Sequence, residues 1–248
     1  MADGTVLCLS GLDPSGSAGL LRDVWSVRRA GGNARAIATC LTAQTRERCT
    51  AVSPTPAAIL QEQLEVILTD EPPAAIKIGL VADVPTWNVL VDTLEQQPPT
   101  PIVVDPVRAL SGGGFAAADD VRDVILDRVC GLAPLLTPNR LELSWLGGEP
   151  EATAIAELLQ RGASAVLVKG GHGAQDGDTI QDVLYQADAV HRFSRPRLGG
   201  ARRGTGCALS AILALQVANG LDLPTAARVA GNMLWRAWDD LVPAENHG

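Results

Sequence analysis

The sequence predicts an α/β fold, a mostly parallel sheet covered by helices, and three observations carry that prediction. Short apolar runs alternate with longer segments of helical period from one end of the chain to the other. Each apolar run stops at polar or glycine-bearing residues, and 46% apolar residues in 248 are enough for a sizeable core. In order, the run 5–9 ends in Ser10-Gly11 and leads to a helical segment over 18–30. The run 34–40 ends at Thr42, before a helix over 56–68, and 75–78 ends at Gly79, before a helix over 85–94. The run 102–104 ends in Asp105-Pro106, before a helix over 121–128. The pair 135–136 ends in Thr137-Pro138-Asn139, followed by helices over 140–146 and 152–161, and 165–168 ends in Lys169-Gly170-Gly171. The runs 180–186 and 190–194 alternate around Ala187-Asp188-Ala189 and predict an antiparallel hairpin. Helices over 206–217 and 225–241 complete the chain. Ligands of open α/β sheets bind outside the carboxyl ends of the strands, so the tails of these runs are the expected site lining.

Charge excludes one class of partner. Asp+Glu number 28 against 20 Lys+Arg, a net charge of -8, which disfavours a surface that tracks nucleic-acid phosphates. The most apolar stretch, 207–218, is interrupted by Ser210 and Gln216 and falls short of the roughly 20 residues that span a bilayer, so no membrane helix is expected. The start Met1-Ala2-Asp3-Gly4 lacks a basic segment, and a cytoplasmic protein is expected. Cys8, Cys40, Cys49, Cys130 and Cys207 are scattered and never form C-x-x-C, which indicates neither a disulfide framework nor zinc. Only Lys77 and Lys169 are lysines in this arginine-rich chain, and both are worth attention because the two cations differ in shape and hydration. No internal repeat or charge block appears, and the short stretch 96–101, rich in Pro and Gln, does not divide the chain.

Among the motifs, Gly204-Thr205-Gly206-Cys207 at the start of a small-residue helix stands out. Glycines let the backbone turn its N–H groups inward, and the helix adds about half a positive charge, a combination suited to an anion and to phosphoryl transfer. Cys207 falls in the first turn, where a thiol pKa can drop toward neutrality and the thiolate can take a proton; packing as a small buried residue is the other reading. The cluster 11–19 follows the first strand but fits neither the dinucleotide-binding nor the Walker pattern. Asp105 and Glu142 stand where magnesium-bound phosphate needs carboxylates, although each also suits a turn or a helix start. Lys169 either reaches a nucleotide phosphate as a point charge or is a solvated strand end.

Taken together, Gly11-x-Asp13-Pro14-Ser15-Gly16-x-Ala18-Gly19, Gln44-Thr45, Lys77-Ile78-Gly79, Val104-Asp105-Pro106-Val107, Thr137-Pro138-Asn139-x-x-Glu142, Lys169-Gly170-Gly171-His172 and Gly204-Thr205-Gly206-Cys207 resemble the hydroxymethylpyrimidine/phosphomethylpyrimidine kinases of thiamine synthesis. These belong to the ribokinase-like superfamily, and the resemblance runs over residues 5–240. It implies a single kinase domain over 1–248, a three-layer sandwich with a central mostly parallel sheet and a small antiparallel hairpin. The implied reaction is ATP-dependent phosphorylation of 4-amino-5-hydroxymethyl-2-methylpyrimidine, then of its monophosphate, with ATP and Mg2+ as cofactors. By position, Gln44 hydrogen-bonds the aminopyrimidine, both donating and accepting. Gly11 lets the ring approach the backbone, Leu80 and Val107 pack on it, and Asp23 matches an acidic position of the first helix. Asp105, Asn139, Glu142, Lys169 and Gly171 hold the nucleotide side, Asp105 and Glu142 with the metal. Gly204, Thr205, Gly206, Cys207 and Lys169 form the catalytic group. The sugar kinases of the superfamily carry aspartate where Cys207 stands, so the cysteine argues against a sugar substrate.

Three departures from the family pattern stand out. Arg202-Arg203 replaces the usual Thr-His, and either arginine is free to clamp a phosphate or to face solvent. Arg108 takes a position that is commonly apolar, and the loop 111–114 is glycine-rich enough to move over the site. The glycine-rich tail common after the last helix is lacking, which bears on the second phosphorylation. The rival readings are a pyridoxine-type vitamin kinase and a non-catalytic pyrimidine sensor, the latter disfavoured by the retained phosphoryl-transfer residues. The resemblance also implies a homodimer, with the five tryptophans as candidates for its interface.

Overall fold

The computed structural model describes residues 4–110, 113–172, 178–199 and 202–238. Its strands are β1 (Thr5–Leu12), β2 (Asn33–Gln44), β3 (Cys49–Pro54), β4 (Ala75–Ile78), β5 (Ile102–Val104), β6 (Leu135–Leu136), β7 (Ala165–Val168), β8 (Thr179–Gln186) and β9 (Ala189–Pro196). They form one nine-stranded sheet in the order β3-β2-β1-β4-β5-β6-β7-β8-β9. Pairing is parallel from β2 through β7 and antiparallel at β2–β3, β7–β8 and β8–β9. The expected hairpin is therefore present, and β3 is a second antiparallel feature that the apolar pattern did not announce. It is an edge strand with four of its six residues exposed, so water, not a core face, sets its composition.

The helices are α1 (Gly19–Arg29), α2 (Ala57–Asp70), α3 (Val84–Leu94), α4 (Asp119–Asp127), α5 (Arg140–Gly147), α6 (Glu151–Gln160), α7 (Thr205–Ala218) and α8 (Leu223–Arg236). Strand alternation sorts the core into two layers. Leu7 and Leu9 of β1, with Ile76 and Ile78 of β4, join the core of α2 through α6. Val6 and Cys8 of β1, with Val103 of β5, join the core of α1, α7 and α8 on the other face. Residues 208–216 of α7 are all buried, as expected for a helix enclosed on every side rather than laid on a surface. That enclosure places the N-terminus of α7 over the carboxyl ends of the central strands. No helix among the described residues is long and apolar enough to cross a membrane.

Two strands outrun their expected ends. β1 continues through Ser10-Gly11 to Leu12, and β2 through Thr42 to Gln44, because the pairing with β3 extends β2 beyond its parallel neighbour. Gly11 and Gln44 thus stand on strands rather than in loops. Of the five tryptophans, Trp87 and Trp145 belong to the core, Trp235 and Trp238 line a cavity, and Trp25 is exposed.

Candidate active site

A cavity of about 1260 Å3 opens at the carboxyl ends of the parallel strands. At the β2–β5 side it is lined by Gly11, Asp13, Gln44, Leu80 and Val107, and at the β5–β7 side by Asp105, Asn139, Glu142, Lys169 and Gly171. Gly204, Thr205, Gly206 and Cys207 line it as well. Of the expected site residues, Asp23 alone is kept away: it is fully buried, and its Oδ2 accepts from Lys77 Nζ at 2.7 Å. Strand alternation explains this. Lys77 stands between Ile76 and Ile78, so its side chain enters the α1/α7 layer, where Asp23 of α1 is the acid that meets it. Burial works against the Lys77 charge, but Asp23, with Cys207 and Asp105 beyond it, holds the ammonium above its ordinary pKa.

The first glycine cluster is organised by Asp13. Its carboxylate accepts from Ser15 N (2.9 Å), Ala18 N (3.1 Å), Ser17 Oγ (3.3 Å) and Gln44 Nε2 (3.2 Å). An aspartate followed by Pro-Ser-Gly is the sequence signal for such a turn. Gly19 (φ +60) and Gly204 (φ +72) both adopt the left-handed region, and a Cβ would run into Gly11 O at the first and Ser17 O at the second. The two glycine loops therefore touch, which fixes the N-terminus of α7 against the end of β1.

Gln44 is 7% exposed, and with its Nε2 committed to Asp13 its Oε1 is buried without a partner. The donor of the amide is thus taken by Asp13, and its acceptor alone is left without a partner, in place of the donor-acceptor pair expected from its chemistry.

At the β5–β7 side, Lys169 Nζ donates to Asp105 Oδ1 at 2.6 Å and lies 3.7 Å from Glu142 Oε2. Asn139 and Glu142 form a capping box on α5: Asn139 Oδ1 accepts from Glu142 N (2.9 Å), and Glu142 Oε2 accepts from Asn139 N (2.7 Å). Glu142 is thus a helix-start residue and a cavity carboxylate at once. Burial raises its pKa, the Lys169 charge opposes that rise, and Asp105 adds to it. Burial opposes the Lys169 charge in turn, and Asp105 and Glu142 outweigh it, so the ammonium is held above its ordinary value. Among the described residues no three His, Cys, Asp or Glu side chains group around one point as metal ligands. Two buried carboxylates of hard oxygen do suit magnesium, which is ordinarily held by one or two carboxylates together with substrate phosphate and water.

Cys207 behaves differently from the expectation for a thiol at a helix start. Burial pushes it up to about 12, with Asp23 and Asp105 adding to the rise, while Lys77 and the Gly19 N–H oppose it. Although the side chain is only half-buried at the cavity wall, loss of hydration there outweighs the helix N-terminus and raises rather than lowers the thiol. Arg203 Nη1 donates to Thr45 O (2.9 Å) and to Arg46 O, tying the turn after β2 to the glycine loop. Arg202 stacks over Trp238 at 5.6 Å. Of the glycine-rich loop 111–114, Ser111 and Gly112 lie outside the described residues, as do residues 239–248. Gly114 packs its backbone against Cys49 O.

Residues 13–247 match the family model described as phosphomethylpyrimidine kinase. The chain belongs to that family. It is 32% identical over 232 residues to the hydroxymethylpyrimidine/phosphomethylpyrimidine kinase of Rhizobium meliloti, covering 90% of this chain and 86% of that one. It spans only 31% and 45% of two multifunctional thiamine-biosynthesis relatives, from Corynebacterium efficiens and Geobacter sulfurreducens, at 34% and 33% identity. The crystal structure of phosphomethylpyrimidine kinase from Clostridium difficile superposes with a TM-score of 0.82 at 26% identity, covering 94% of this chain and 99% of that one. The Staphylococcus aureus pyridoxal kinase with pyridoxal gives 0.86 at 23% identity, over 99% and 94% of the two chains, which shows the shared ribokinase-like fold alone.

Proposed function

We propose that this chain phosphorylates 4-amino-5-hydroxymethyl-2-methylpyrimidine and its monophosphate at the expense of ATP, in thiamine biosynthesis. Family membership supports the reaction class, and the observation that carries the substrate is Gln44, which lines the cavity and keeps a buried Oε1 without a partner. A buried acceptor without a donor is costly, and an exocyclic amine on an aromatic ring supplies one. Gly11 carries no Cβ between the ring and the strand; one placed there would meet Cys40 Sγ at 2.8 Å and Leu80 Cδ2 at 2.9 Å. Leu80 and Val107 provide apolar contact for the ring.

The hydroxymethyl oxygen attacks the γ-phosphorus, the bond to the β–γ bridging oxygen breaks, and ADP leaves. The alcohol proton goes to Cys207 in its thiolate form, the minor form near neutrality, which becomes the thiol, and the N–H groups at the start of α7 face the charge that develops on the transferring group. Asp105 and Glu142 are the carboxylates that hold magnesium, which neutralises phosphate charge when bound. Lys169, kept charged by the same two carboxylates, orients phosphate oxygens beside Gly206, where there is room only because no Cβ stands 3.2 Å from its Nζ. Residence in the cytoplasm and assembly as a homodimer belong to the same proposal.

A coupled ATP-consumption assay with the pyrimidine alcohol, its monophosphate and pyridoxal tests the reading; turnover of pyridoxal alone would replace it with the vitamin-kinase alternative. Gln44→Leu should weaken pyrimidine binding by about 1 to 3 kcal/mol, and an unchanged Michaelis constant removes Gln44 from the pocket. Glu142→Gln isolates the charge from the cap, because glutamine also completes a capping box. Thermal stability should hold while the magnesium concentration for half-maximal rate rises; equal magnesium dependence in both proteins assigns Glu142 to the helix start alone.

A further inference from the structure

We propose that Arg46, assisted by Arg108 across the cavity, seats a phosphomonoester already carried by the substrate and so sets the preference for the monophosphate over the alcohol. This rests on the kinase reading above. The charges lining the cavity are largely spent within it. Lys169 faces two carboxylates, and Arg195 is paired with Asp182. Arg203 is engaged by the carbonyls of Thr45 and Arg46, and Arg197 and Arg202 have partners of their own. Arg46 and Arg108 differ: both line the cavity, both are exposed, and neither guanidinium has a carboxylate partner among the described residues.

The backbone that carries Arg46 is also fixed. It follows Gln44 by two residues in a turn where Thr45 N donates to Arg48 O (2.8 Å) and Thr45 Oγ1 accepts from Glu47 N and Arg48 N (3.2 Å each). Arg203, next to the anion-binding Gly204, pins that turn by its carbonyls, so the Arg46 side chain starts beside the point of phosphoryl transfer. Arg108 follows Val107 and is held by Ala117 N donating to Arg108 O (2.6 Å). β2 and β5 are three strand spacings apart, about 14 Å, a gap with room for a phosphorylated ring between the two arms.

The second phosphorylation is the step that needs such a seat. It brings a phosphate dianion against the γ-phosphate of ATP in a chain of net charge -8, beside a Lys169 whose charge Asp105 and Glu142 already exceed. A guanidinium fork neutralises and orients a phosphate in a way that an ammonium does not. The test measures kcat/KM for the alcohol and the monophosphate in wild type, Arg46→Gln and Arg46→Lys. The monophosphate-to-alcohol ratio should fall by about tenfold to a hundredfold in Arg46→Gln and by an intermediate factor in Arg46→Lys, with Arg108→Gln moving the same way. An unchanged ratio, or an equal loss for both substrates, overturns the proposal. Calorimetry with the monophosphate and nucleotide-free protein reads the same contact without turnover. If neither substrate is phosphorylated yet monophosphate binding weakens tenfold in Arg46→Gln, the phosphate seat stands and the kinase reading fails; equal binding in both proteins overturns the seat.

Discussion

Replacing Cys207 by alanine is expected to lower turnover by about 10² to 10⁴, the usual contribution of a general base, with little change in pyrimidine binding. The thiol lies in the first turn of α7 and lines the cavity, and burial holds it up to about 12. A group with so high a pKa is almost entirely protonated near neutrality but strongly basic once ionised. The wild-type rate should therefore climb through the alkaline range without levelling near pH 7, because the thiolate fraction grows with each unit below its pKa. Cys207→Asp should recover part of the rate and move that limb to lower pH, since a carboxylate ionises earlier. Near-normal turnover in Cys207→Ala, with the pH profile unmoved, would leave the thiol a packing residue and transfer to Gly204–Gly206 and Lys169 alone.

The second large effect is on stability. Lys77→Met removes the partner of a carboxylate that is 0% exposed, and stranding a buried charge costs about 3 to 5 kcal/mol. Asp23 escapes part of that cost by taking up a proton. Burial already pushes its carboxyl up to about 6 against the pull of Lys77, and without the lysine it moves higher still. The native state of Lys77→Met then keeps a proton that the unfolded chain, with an ordinary aspartate near 4, has lost. Stability of the variant should consequently fall as pH rises from about 4, leaving it closer to wild type at pH 5 than at pH 8 in urea melts. Lys77→Met combined with Asp23→Leu should recover most of the loss, because an apolar pair of similar volume needs no desolvated charge. A double variant no more stable than Lys77→Met would show that the pair does not act as a unit.

How much could be read without coordinates follows from what each signal depends on. The strands β4 to β7 are apolar runs closed by turn residues, and their bounds were legible to the residue because both faces are buried. β3 was not, because an exposed edge strand needs no apolar pattern. The motifs carrying Asp105, Lys169 and the Gly204–Cys207 loop were legible because glycines and charges at strand ends have few other reasons to be there.

Partnership was a different matter. The sequence alone marked Lys77 as unusual and Asp23 as acidic, but pleating and the packing of α1 on the sheet decided that the two neutralise each other away from the cavity. It put Gln44 among the expected site residues, whereas Asp13, distant by 31 residues, decided which end of the amide is left without a partner. It placed Cys207 at a helix start, and loss of hydration between α7 and the sheet decided that the thiol is shifted up rather than down. Composition, periodicity and motif spacing are properties of the chain itself; desolvation and the pairing of charges depend on which surfaces meet, and those exist only once the layers close.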